Sequence, residues 1–168
     1  MAETQVMGYA INGIVGALLT KIVLKDFSRK EEIESVENEQ FYPLSLYIDF
    51  TDYLEAHLST ESMTSLGRAV GRAVVENSFP PSIATVKEAL MEVQKAHEMF
   101  CKPVIGKFEI SEETDDCITM KYTAPYNCIL QEGLLFEIAK KYGLKMPAVT
   151  HKECRRNGAS ECIYEVKF

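Results

Sequence analysis

The chain has 168 residues, enough for one domain with a real core. With 46% hydrophobic and 26% charged residues it reads as an ordinary globular protein. Its net charge of −7 argues against a nucleic-acid binder, which needs a basic face.

The apolar run Val6 to Leu24 is close to membrane-spanning length, but it contains Asn12, Thr20, Lys21 and glycines at 8, 13 and 16. It predicts a buried or dimer-forming helix over Gln5 to Lys25, and Gly13, Gly16 and Ala17 would let a second copy approach; a homodimer is expected. An acidic linker follows over residues 26 to 40, solvated or at most a short helix. Leu46, Phe50, Tyr53, Leu54 and Leu58 fall at helical spacing. A further helix starts at a Ser59 or Thr60 cap and runs to about Glu76. Its Gly67 and Gly71 predict close packing on one side, with Arg68 and Arg72 toward solvent. Pro80-Pro81 breaks the chain, and Ser82 is expected to cap a helix with Ile83, Val86, Leu90, Val93 and Phe100 on its apolar side. Val104 to Ile110 and Cys117 to Thr123 read as two strands around an acidic turn. Asn127 caps a helix that ends at Tyr142-Gly143. Ala148 to Glu153 and Glu161 to Phe168 are the last strands. The fold class is α+β: N-terminal helices packed on a C-terminal antiparallel sheet with one inserted helix, in a single domain spanning 1–168.

The five cysteines are odd in number, and Glu3 stands where a secretory leader carries basic residues. A cytoplasmic location is expected, with thiols reduced or metal-bound. His151-x-x-Cys154 precedes Cys162 by seven residues across a turn-forming stretch, and Cys128 lies further back at a helix start. Thiolate and imidazole are zinc ligands, and four of them close a tetrahedral shell. Spacing alone serves equally well for buried thiols beside a strand histidine. Cys101 and Cys117 are expected in the core.

The pattern Tyr122…Glu132-Gly133-Leu134-Leu135…Ile138-Ala139…Tyr142-Gly143…Cys154…Gly158-Ala159…Cys162 resembles the 4-vinyl reductase-type (4VR) domain. That domain belongs to the ligand-binding fold superfamily of haem-nitric-oxide-binding and Golgi-transport proteins. The resemblance implies a structural Zn²⁺ on Cys128, His151, Cys154 and Cys162, with His151 where the sensor relatives carry Glu. It also implies a pocket between helices and sheet, with candidate walls Phe79, Ile83, Val86, Leu90, His97, Phe100 and Tyr122. Haem-nitric-oxide-binding proteins carry their haem histidine on the helix that holds His97. Counting back from Tyr122 places that position at Val93 or Gln94, and Tyr122-Thr123-Ala124-Pro125-Tyr126 lacks the Ser and Arg of the family's haem-carboxylate motif. Haem is therefore not expected. No catalytic constellation is visible. The function expected is a zinc-stabilised sensor or carrier of a small hydrophobic or aromatic ligand, signalling through a separate partner protein, with no nucleic acid and no membrane span. The alternatives are a tetrapyrrole-binding accessory or reductase-like protein, a haem-based gas sensor, or a protein-assembly module.

Overall fold

The computed structural model describes residues 3–143 and 146–167. Its chain order is β1 (Gln5–Met7), α1 (Gly8–Ala17), α2 (Lys30–Glu34), β2 (Phe41–Pro43), α3 (Leu44–His57), α4 (Thr60–Ser78), α5 (Val86–Phe100), β3 (Cys101–Lys102), β4 (Phe108–Glu113), β5 (Cys117–Tyr122), α6 (Cys128–Tyr142), β6 (Ala148–Glu153) and β7 (Cys162–Lys167). The predicted α+β class is what forms.

The N-terminal third departs most from expectation. The helix predicted over Gln5 to Lys25 is shorter. Val6 pairs with Tyr42 and Cys101 in a three-stranded antiparallel sheet of order β2-β1-β3. After α1, the Thr20 side chain accepts from the Ile22 N–H and starts a separate 3-10 turn, Lys21–Leu24. The acidic segment is not a solvated linker. Phe27, Ile33 and Val36 are buried anchors within it, while Arg29 pairs outward with Glu32 and Asp49, each at 2.8 Å.

The later helices follow their signals more closely. Ser59 caps α4 by accepting from the Ser62 N–H. The cap of α5 lies at Thr85, three residues beyond the predicted Ser82. Thr85 and Glu88 form a reciprocal capping box there, satisfying two orphan donors that Ser82 could not. Asn127 caps α6 as predicted, its Oδ1 accepting from Ile129 at 3.0 Å and Leu130 at 3.2 Å. The second sheet has the order β4-β5-β7-β6, all antiparallel. Phe168, predicted to end the last strand, lies outside the described residues.

Two cores divide the molecule. One holds α1, α3 and the anchors of the former linker; the other holds α5, the four-stranded sheet and most of α6. Helices α4 and α6 cross between them at backbone contact. A Cβ on Gly67 would lie 2.2 Å from the Leu130 oxygen, and one on Gly133 would lie 2.2 Å from the Thr64 oxygen. The predicted glycine-side packing therefore holds. The arginines are less free than expected: Arg68 lies over the Phe136 ring at 3.9 Å, and Arg72 pairs with Glu137 at 3.3 Å. Among the described residues, no helix is long and apolar enough to cross a membrane.

Candidate functional sites

Two constellations stand out, one on each side of the segment Tyr122 to Cys128. The first is the sulfur cluster. Cys128 enters from the first residue of α6, His151 and Cys154 from the end of β6, and Cys162 from the start of β7. The candidate ligand atoms of all four lie within 4.8 Å of one another. The Cys128 sulfur is 3.7 Å from that of Cys154 and 3.6 Å from that of Cys162. Tetrahedral metal–sulfur bonds of about 2.3 Å would place sulfurs roughly 3.8 Å apart, so these four residues could hold one ion between them.

Local geometry makes the cluster. A 3-10 turn, Arg155–Asn157, folds the chain back after Cys154 and closes on Gly158 at φ +92°, a conformation that favours glycine. The Arg155 N–H points at the Cys162 sulfur at 3.5 Å. The Arg155 guanidinium donates to the backbone oxygens of Thr123 and Ala124 and lies over the Tyr122 ring. Glu55 accepts from both Asn127 and Arg156, tying α3 to the helix start and to the turn. His151 stacks on Tyr164 with ring centres 4.3 Å apart, and its buried Nε2 has no partner.

Burial pushes the Cys128 thiol up to about 12, with the neighbouring Cys162 and Cys154 sulfurs adding to the shift. Burial also opposes ionisation of Cys162, yet hydrogen bonds from Arg155 hold it below the usual thiol range. Burial lowers His151, keeping its imidazole neutral and able to donate a lone pair.

The second constellation is a cavity of about 270 Å³ at the seam of the two cores. Its walls include Tyr9 and Gly13 of α1, Val70 and Val74 of α4, Val93 and His97 of α5, and Gln131 and Leu134 of α6. Of the seven predicted pocket residues, His97 and Phe100 line it. Phe79, Ile83, Val86, Leu90 and Tyr122 instead pack into the sheet-side core. The apolar stripe of α5 faces the sheet, whereas the cavity lies on the flank of the helix toward α1 and α4. Sequence reasoning missed the α1 wall, Tyr126 and Gln131. Gln131 left one trace: it is a polar residue among the apolar positions Cys128, Leu134, Leu135 and Ile138 of α6.

His97 is 4% exposed. Its Nε2 lies 3.0 Å from the Ile105 carbonyl oxygen and its Nδ1 lies 2.9 Å from the Tyr126 hydroxyl. A carbonyl can only accept, so Nε2 carries the proton and donates. Nδ1 therefore holds a lone pair, to which the Tyr126 O–H donates. Burial lowers the His97 pKa, which keeps the ring neutral. The count back from Tyr122 falls on Val93, an apolar wall, and on Gln94, whose Oε1 accepts from the Phe108 N–H at 2.7 Å. His97 is thus the imidazole of the cavity, one turn beyond that position.

No family model and no curated protein matches the chain. Solved structures do. An H-NOX protein from S. oneidensis in an Fe(II)NO ligation state superimposes with a TM-score of 0.73 at 15% identity, over 96% of this chain and 98% of the other. An unliganded Fe(II) H-NOX protein from K. algicida gives 0.67 at 15%, over 96% and 95%. A protein described for haem redox potential modulated through porphyrin distortion gives 0.67 at 17%, over 96% and 97%. At such identities the likeness is one of fold.

These comparisons correct two expectations. The assignment to the 4-vinyl reductase-type domain gives way, because the structures that share the fold are H-NOX proteins. The cofactor expectation, structural Zn²⁺ with haem excluded, gives way as well. The H-NOX structures that superimpose are described in Fe(II) ligation states, and a further structure of this fold is described for its haem. Across nearly the whole chain, the fold is that of H-NOX proteins.

Proposed function

We propose that this chain is a small-molecule sensor domain that binds haem in the cavity between its two cores, with His97 as the residue that would hold its iron. The observation that supports it is the fixed tautomer of His97. Metal-binding imidazoles are held by a second-sphere acceptor on one nitrogen while the other presents its lone pair. The Ile105 carbonyl plays the first part here, and Nδ1 is the basic nitrogen, whose lone pair now accepts from the Tyr126 O–H and would have to exchange that partner for iron. Haem, when bound, supplies an iron centre for small gaseous ligands.

The rest of the site fits in part. Val70, Val74, Val93, Phe108 and Leu134 offer apolar faces to a flat ring system, and no Lys or Arg is among the lining residues to pair with haem carboxylates. An engineered cavity of about 150 Å³ takes one benzene, so the roughly 270 Å³ here, open on one side, has room for a two-ring body. A four-pyrrole macrocycle exceeds that volume and would extend through the open side, past the exposed Tyr9 and Asn77.

Reconstitution with haem tests the reading. The folded chain should develop a Soret band distinct from that of free haem, and His97→Ala should abolish or shift it. A folded chain with no such band rules out haem, and a band indifferent to His97→Ala rules out His97 as its ligand. The sulfur cluster completes the proposal as a metal site held by Cys128, His151, Cys154 and Cys162. Its support is the 3.6 and 3.7 Å sulfur spacing. Dimerisation through α1 and output through a partner protein also belong to this reading; a monomer in light scattering at micromolar concentration removes the dimer.

A further inference from the structure

Some polar groups around the cavity are satisfied by the protein. Asn12 donates to the Val36 oxygen at 3.0 Å and to the Asn38 Oδ1 at 2.8 Å. Both nitrogens of His97 are engaged. Gln131, however, is only 6% exposed, and its Oε1 is buried without a hydrogen-bond partner; the Ser78 Oγ is likewise unpaired. Both residues line the cavity. Buried acceptors are almost always paired in folded proteins, and each exception calls for a reason. A core position on α6 would be better filled by an apolar side chain. An unpaired amide held beside a hollow gains its partner when the hollow is filled.

We propose that this half-open cavity is a binding site for a two-ring aromatic molecule carrying an N–H or O–H donor, and that Gln131 selects it by accepting that donor. The volume sets the scale, since about 150 Å³ suffices for a single benzene ring and the hollow here, open on one side, measures about 270 Å³. The walls set the apolar character, and Gln131 sets the need for a donor. The inference rests on the cavity being the ligand site, and it does not require haem.

Indole and indene make a matched pair of probes. Both have a fused five- and six-membered ring, and indene has a CH₂ where indole has N–H. Titration calorimetry on the intact, iron-free chain should show indole binding tighter by about two- to ten-fold, the worth of one hydrogen bond. Gln131→Met should erase that preference by weakening indole alone. It should also raise the melting temperature of the ligand-free protein, because the unpaired acceptor is gone. A residue that merely supports the fold would lower it. Equal affinities in the wild type, binding of neither probe, or a preference that survives Gln131→Met would each overturn the proposal. The wild-type comparison holds even if the variant fails to fold. The Soret measurement is read separately, so haem binding can fail while the indole preference stands, or the reverse.

Discussion

Replacing Gly133 with alanine should be among the most damaging single-methyl changes available to this chain. Its Cβ would lie 2.2 Å from the Thr64 oxygen, 2.8 Å from the Arg68 nitrogen and 3.0 Å from the Gly67 carbon, all backbone atoms of α4. No side chain can rotate away, so the helices must separate. Restoring even a tight 3.0 Å contact to the Thr64 oxygen means a shift of roughly 0.8 Å, taken from the 2.2 Å distance in an interior packed at crystal density. Overpacking of this kind costs about 1–3 kcal/mol, more where backbone must move. The better helix propensity of alanine returns at most about 1 kcal/mol. Because the clash is with backbone, the upper end applies, and a net loss of about 2 kcal/mol is expected. Urea unfolding by circular dichroism measures it as a lower midpoint at unchanged slope. Gly16→Ala is the control: nothing lies within 4 Å of its Cβ, so only the propensity gain remains. A Gly133→Ala protein with the wild-type midpoint would refute the close crossing of α4 and α6.

Asn127→Ala removes a cap serving two backbone N–H groups, together with the bond to Glu55. It should cost about 1–2 kcal/mol, read from the same unfolding curves. Cys154→Ser should leave a chain without the one metal ion per molecule expected of the wild type, by mass spectrometry. A loss of about 3 kcal/mol would appear as a melting temperature lower by about 6–12 °C; full metal occupancy in the variant would count against the cluster. The lowered pKa of His97 predicts acid sensitivity. Below about 6.5 the unfolded chain binds a proton that the native ring refuses, so stability falls with pH until the native pKa is reached, by at most about 1.4 kcal/mol per unit. Burial gives His151 the same sign, so the comparison is wild type against His97→Gln, whose pH slope should be shallower by the His97 share.

The elements most legible in the sequence were those written in local chemistry. Asn127 announces α6, Ser59 announces α4, and the alternating pattern of β7 announces a half-buried strand. The turn between Cys154 and Cys162 was legible for the same reason, since Arg155 to Ser160 ends its tight part on a glycine. Cys128 was different: no spacing rule brings a helix start to a hairpin 26 residues on. Its place in the cluster depends on the long-range Asn127–Glu55–Arg156 network. The small sheet was invisible, because strands of two or three residues carry no period. The acidic segment misled through its charges, which outnumber the three apolar anchors that decide its path.

The cavity was misplaced for an instructive physical reason. Predicted walls followed the apolar stripe of α5, because apolar periodicity marks what a helix buries. What it buries most completely is solid core, and Val86 and Leu90 are packed there against the sheet. A hollow forms where two cores meet imperfectly, so its lining comes from the flanks of helices and mixes small, aromatic and polar residues. Tyr9 and Gly13, Ala73 and Asn77, Ala96 and His97, and Gln131 are such flank positions on four different helices. Each looks unremarkable in its own segment. The signal that marks them together is a polar atom left buried and unpaired, as at Gln131 and Ser78. Such an atom costs the fold stability, and that cost is recovered only when something enters the space beside it.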